Sequence, residues 1–268
     1  MKHDLFVTQS QLTRELKALG VEAGQVLMLH VSVKAIGWIV GGPDVVLHAL
    51  RDVLTPAGTL MMYVGWADGT QEMEQWPEEK RRAYFEECPT FDPRTSRAVK
   101  DWSILTEYLR TTPGAVRSSH PEASVAALGA EAQWLVEGHP LQYGYGVGSP
   151  FEKLVQVGGK VLLLGSPLDS ITLLHYAENI ARVPNKRVVH YRAPMLVDGQ
   201  RTWVDIEEFD TTHGIADYPE DYFEVIARAY IATGQAKVGR VGDAQSYLFD
   251  ALSLHQFGVQ WLENRLGG

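Results

Sequence analysis

Cysteine is nearly absent from this 268-residue chain, which holds only Cys88. A single thiol excludes an internal disulfide and any cysteine-built metal site. It lies in the polar run FEECPTFDP, where an ordinary thiol is the first reading and a nucleophile the second. Long apolar runs are also missing: no stretch approaches the roughly 18 residues that a membrane-crossing helix needs. The opening residues, MKHDLFVTQSQLTREL, are polar and lack the apolar centre of a secretion signal, so a cytoplasmic address and no membrane partner are expected. Positive charge is short as well, with 24 Lys and Arg against 33 Asp and Glu and a net charge of -9. That balance argues against nucleic acid as a partner and makes a cationic ligand the easier one to attract.

Several chemical signatures are missing too. No G-x-x-x-x-G-K-[ST] loop occurs, and GYGVGS lies in a loop that opens no dinucleotide-binding unit, which argues against nucleotide chemistry. Without a Gly-x-Ser-x-Gly elbow, the His30 and Ser32 pair near a strand end does not mark an α/β-hydrolase. The nine histidines contain no H-E-x-x-H and no close ligand pair, so no metal is expected.

What is present is an alternation of apolar strands and amphipathic helices. QVLMLHVS (25–32), TLMMYVGW (59–66), ASVAALG and Val161 to Leu164 read as strands, and their continuous apolar character suits a sheet covered on both faces. Between them, QLTRELKALG, PDVVLHALRDVL, SILTEYLRTT and PFEKLVQVG carry helical spacing with start and stop signals. The last third holds two alternating runs around Asp198-Gly199, a hairpin signal, then a helix in DYFEVIARAYIATG, a strand-like start in VGDAQSYLFD and a terminal helix. RSSHPEAS reads as an exposed polar turn, and 71–93 as an irregular charged insertion with a short helix at PEEKRRAYFEE. No repeat or linker-like shift in composition appears. The expectation is one α/β domain over 1–268 with a central mixed sheet flanked by helices.

The stretch GKVLLLGSPLDSITLLHYAENIA places a histidine and a carboxylate, His175 and Glu178, on one helical face just after a buried strand. Among apolar neighbours His175 reads first as a structural histidine and second as a general base. Glu178, or Glu208 and Asp210 from the hairpin, are the carboxylates within chemical reach, and spacing does not choose between them. HVSVKAIG at the first strand end is either a cradle for phosphate or pantetheine or a plain connection. Tyr63, Trp66, Asp68, Glu208 and Asp210 are the residue types that hold a polycation.

The blocks HVSVKAIG, GGPDVVLHALRDVLTPAGTLMMYVGW, FDPRTSRAV, RSSHPEASVAALG, GYGVGSPFEKLV, GKVLLLGSPLDSITLLHYAE and VGDAQSYLFD, in this order from about residue 10 to 266, resemble the aminoglycoside 3-N-acetyltransferases. The resemblance is strongest to the type II, III and VI branches and is distinct from the GNAT superfamily. It implies acetyl transfer from acetyl-CoA to the 3-amino group of 2-deoxystreptamine, hence antibiotic resistance. It further implies His175 as the base, CoA against Ser32, Val33, Lys34, Ala35, Ile36 and Gly37 with Ser118 and Ser119 nearby, and the aminoglycoside against Tyr63, Trp66, Asp68, Glu208 and Asp210. The alternatives are a same-fold acyltransferase acting on another amine, and a binding module without catalysis; the oligomeric state stays open.

Overall fold

Val26 and Met28 face one layer of helices while Leu27, Leu29 and Val31 face the other, and all five are buried. A strand apolar on both sides needs cover on both sides, and that requirement organises the whole chain. The computed structural model describes residues 6–66, 76–99, 102–219 and 221–267. Its first half runs α1 (Gln9–Leu19), β1 (Val26–Val31), α2 (Val33–Ile36), α3 (Asp44–Leu54), β2 (Thr59–Tyr63), α4 (Glu78–Glu87), α5 (Ile104–Thr111), β3 (Val116–Arg117), β4 (Val125–Gly129) and α6 (Ala132–Val136). Its second half runs α7 (Pro150–Gln156), β5 (Lys160–Leu164), α8 (Leu173–Ile180), β6 (Val188–Val197), β7 (Gln200–Phe209), α9 (Tyr222–Ala232), β8 (Lys237–Val241), β9 (Ala244–Asp250) and α10 (Ala251–Leu266).

Seven strands form one mixed sheet in the order β3-β4-β2-β1-β5-β9-β8. The three central strands are parallel, and the outer four pair antiparallel. Leu12, Leu16, Val46, Leu50, Leu105 and Leu109 cover one face from α1, α3 and α5. From α6 to α10, Leu135, Leu154, Leu174, Ile226 and Leu254 cover the other. The expected α/β fold with a central mixed sheet is the fold observed.

The local reasons are legible. Thr8 accepts from the Gln11 N–H to start α1, and Gly20 ends it at φ 109°. Asp198 and Gly199 both take positive φ, 51° and 77°, as a two-residue turn joining Val197 to Gln200 in the β6–β7 hairpin requires.

Four expectations are corrected. The second strand ends at Tyr63, and Trp66 instead makes an isolated bridge to Ala98. The loop after β1 winds into a short helical turn, α2. The C-terminal strand signal is a hairpin, since an edge strand, β8, precedes β9 across Gly242-Asp243. The turn read as exposed is largely buried at Ser118 and His120, because its polar atoms are paired inside the protein. Of the charged insertion, the described part docks on the hairpin. Cys88, Trp66 and Phe91 form a small apolar cluster with Met195 and Trp203, and Arg201 donates to the carbonyls of Phe85 and Cys88.

Candidate active site

β2, β1 and β5 end on one rim. The connection from β1 to β2 runs through α3 on one face, whereas the chain enters β5 from α7 on the other. The crossover direction therefore reverses between β1 and β5, and a crevice at the carboxyl ends of parallel strands is expected there. The structure has one, a cleft of about 950 Å³ lined by 29–34 from the β1 end and by Ser166, Pro167, Asp169, Ser170, Thr172 and His175 from the β5 end. Gly165 lets the two strand-end loops approach, because a Cβ there would stand 2.6 Å from Ala35 Cβ.

α8 buries Leu173, Leu174, Tyr176 and Ala177, and this anchors the helix so that His175 reaches the cleft. Its Nδ1 lies 2.6 Å from Glu178 Oε2. A carboxylate only accepts, so the proton sits on Nδ1 and the lone pair on Nε2. Glu178 is buried, and its other oxygen accepts from the Tyr222 hydroxyl, whose oxygen accepts from the Ile215 N–H at 2.9 Å. Burial and the Glu178 charge push the Tyr222 hydroxyl well above the usual phenol range. Tyr145 and Phe223 wall the imidazole, with ring centroids 4.9 and 4.7 Å away. The result is an imidazole with a fixed tautomer, a supporting carboxylate and a free nitrogen in a cleft, which can accept and return a proton.

The other expected residues divide. Glu208 is fully buried beside this group, and burial raises its carboxyl to about 7 against the opposing pull of the Phe209 N–H and of His175. Its Oε1 accepts from that Phe209 N–H at 2.9 Å. Asp210 is engaged elsewhere: it accepts from the N–H groups of Thr212 and His213 at 2.9 and 2.8 Å and contacts the His213 ring at 3.2 Å, closing the turn after β7. Tyr63 and Trp66 line the cleft. The Tyr63 hydroxyl is 2.9 Å from that of Tyr145, and its ring stacks on Trp102 at 4.5 Å. Asp68 lies outside the described residues.

Ser32, Val33 and Lys34 line the cleft, while Ala35 lines a second hollow of about 420 Å³ that shares Ser166 and Pro167 with it. Ile36 is a core residue, and Gly37, at φ 102°, packs where a Cβ would come within 2.8 Å of Asp243 Oδ2. Ser118 and Ser119 do not line either hollow; Ser118 is buried against His139 and Ser119 is exposed.

Sequence reasoning missed Tyr145, Tyr222, Phe223, Trp102, Glu122 and Asp169. Aromatics in a glycine-rich loop and at a helix start carry no signal that separates site from core. Asp169 adjoined the histidine in sequence, and its carboxyl is held above the usual range by burial and by Asp221 and Glu224. Among the described residues, no three His, Cys, Asp or Glu side chains come together as metal ligands, and no helix is long and apolar enough to cross a membrane.

Known proteins resemble this chain in sequence and in fold. The family model described as aminoglycoside 3-N-acetyltransferase matches residues 28–263. Aminoglycoside N(3)-acetyltransferase III of Pseudomonas aeruginosa is 52% identical over 261 residues, covering 97% of this chain and 95% of that one. The crystal structure of aminoglycoside acetyltransferase AAC(3)-Xa superposes with a TM-score of 0.95 at 44% identity, over 97% of this chain and 94% of that chain. AAC-IIIb in a binary complex with CoASH superposes with a TM-score of 0.91 at 45% identity, over 97% and 98% of the two chains. With the fold and the sequence in agreement along nearly its whole length, this chain belongs to the aminoglycoside 3-N-acetyltransferase family.

Proposed function

We propose that this protein transfers the acetyl group of acetyl-CoA to the 3-amino group of the 2-deoxystreptamine ring of aminoglycosides, and so confers resistance to them. The observation that carries the reading is the His175 imidazole, bonded through Nδ1 to buried Glu178 with Nε2 open at the strand-end cleft. An amine arrives as an ammonium and attacks only after losing a proton. His175 Nε2 accepts that proton while Glu178 offsets the imidazolium charge. The amine nitrogen then bonds to the thioester carbonyl carbon and the C–S bond breaks; the acylated nitrogen sheds its second proton to become the amide, so that of the two protons it loses one leaves on the thiol through the imidazolium and the other passes to solvent. No covalent enzyme intermediate is needed, since holding both substrates in one cleft supplies the orientation.

Each remaining group has a place in this reading. The thioester oxygen is assigned to the N–H groups of Val33 and Lys34 at the start of α2, the Ala35 N–H being engaged by Ser32 O at 3.0 Å. The acyl donor lies along Ser32 to Lys34 and toward the hollow at Ala35, in keeping with the CoASH-bound relative. Glu122 and Asp169 on the cleft wall, with Glu208 behind it, receive the ammonium groups of the acceptor, and Tyr63 and Trp66 supply aromatic faces to it.

The product tests the reading. Incubation with acetyl-CoA and gentamicin is expected to give a monoacetylated drug whose acetyl group NMR places on the 3-amino nitrogen. Acetylation at another amine, or none across a broad aminoglycoside panel, would contradict it.

A further inference from the structure

Two buried imidazoles lie outside the chemistry just described. His139 Nδ1 is 2.8 Å from Ser118 Oγ, and its Nε2 is 2.6 Å from the Gly144 carbonyl oxygen. Ser118 Oγ already accepts from the Val125 N–H at 3.0 Å, so its own proton goes to His139. A carbonyl only accepts, which puts the His139 proton on Nε2. The chain of donors is therefore one-directional, from the β4 backbone through Ser118 and His139 to Gly144. His120 repeats the pattern 5.1 Å away, accepting at Nδ1 from the Glu122 and Ala123 N–H groups at 3.1 and 2.8 Å and donating from Nε2 to Leu141 O at 3.2 Å. Burial holds both rings neutral, at about 3 for His120 and about 4 for His139.

The carbonyls they grip belong to one loop, 141–146, and that loop enters the site. Tyr143 sits at φ 51°, a left-handed conformation costly for a non-glycine residue. Its N–H and its hydroxyl bond Glu207 O and Oε1 at 2.9 and 2.5 Å. The Gly144 and Tyr145 N–H groups face Glu208, and the Tyr145 ring packs on His175 while its hydroxyl meets Tyr63. A Cβ at Gly144 would stand 2.6 Å from the His120 ring, so the loop lies directly on this support.

We propose that Ser118 and His139, with His120 beside them, are positioning residues that fix the 141–146 loop and thereby hold Tyr145 and Glu208 in place against His175. None of the three lines the cleft, and their effect passes through the loop backbone at Leu141 and Gly144. The kinetic part of the test rests on the acetyltransferase reading above; the spectroscopic part does not.

The variants are His139→Leu, which keeps bulk without polar atoms, and His139→Gln, whose amide can still donate to Gly144. In the folded protein, His139→Leu is expected to move the side-chain NMR resonances of His175, through displacement of the Tyr145 ring, and His139→Gln to leave them near those of the parent. With acetyl-CoA and an aminoglycoside, His139→Leu is expected to lower kcat by roughly ten- to a hundredfold with KM little changed, and His139→Gln to recover most of it. If His139→Leu does not fold, Ser118→Ala, which deletes one oxygen, carries the same two expectations. Unmoved His175 resonances in the folded variant, or a loss of kcat that only follows the fraction unfolded, would overturn the proposal. A parent protein without acetyltransferase activity would sink the reading of function and leave the NMR result to decide this one.

Discussion

An imidazole in water holds its proton on either nitrogen, and His175 is denied that choice by Glu178 at 2.6 Å. Glu178→Gln keeps the shape and removes the charge that supports the imidazolium, so kcat is expected to fall by about a hundredfold with KM changed only a few-fold, as steady-state kinetics would register. His175→Gln is expected to cost roughly 10²- to 10⁴-fold in kcat. Glu208 poses the opposite case, a carboxyl raised from 4.5 to about 7 by burial. Between those values the unfolded chain has released this proton and the folded chain has kept it, so the unfolding free energy falls as pH rises through the window. Glu208→Gln removes that slope and is expected to stabilise the protein by about 2–3 kcal/mol at pH 8 and little at pH 4. Urea titrations at the two pH values decide this, and a variant no more stable at pH 8 would place the ionised carboxylate in a better environment than the one described.

Elements were legible where burial imposes a pattern. β1 and β5 announce themselves because strands covered on both faces must be apolar at every position, and α1, α3 and α9 because one face of a helix repeats. β8 was hidden: it is an edge strand, largely solvent-exposed over Lys237–Val241, and an edge needs no apolar alternation. The turn around Ser118 and His120 misled for a different reason. Polarity signals exposure only when no internal partner exists, and partners distant in the chain cannot be seen in the sequence. The same limit separates His175 and Glu178, three residues apart on a helix, from Tyr222, whose bond to Glu178 spans 44 positions. At the β4 end the fold makes a demand of its own: a Cβ on Gly129 would lie 2.1 Å from Gly58 O and 2.7 Å from Thr59 Cα, at φ 134°. Gly129→Ala is expected to destabilise by about 2–3 kcal/mol or more, lowering the melting temperature by roughly 5 °C or more. At Gly24, also at positive φ but with no atom within 4 Å of a Cβ, alanine pays only for the backbone, about 1 kcal/mol. Equal shifts in calorimetry for the two variants would contradict the packing described at β4.

Over the whole molecule, the placement of charge divides into an acidic surface balance and a neutral histidine interior. The net charge of -9 suits attraction of a cationic acceptor, and this attraction is expected to weaken as salt is added. Inside, burial depresses His120 to about 3 and His139 to about 4, from 6.5 in an open chain. Their neutral forms contribute stability that is fully present above about 6.5 and is lost as pH falls toward those lower values, on the order of 3 kcal/mol or more for each. Stability is therefore expected to drop steeply between pH 6 and 4, and His139→Gln to flatten that fall in pH-dependent urea melts. The central assignment concerns chemistry at a single nitrogen, and one assay addresses it directly: thiol release from acetyl-CoA, followed across matched aminoglycosides that carry or lack a free 3-amino group. Release is expected only with the drugs that carry the group, and only while His175 is intact. Release that ignores the 3-amino group, or that persists at full rate in a folded His175→Ala protein, would contradict it.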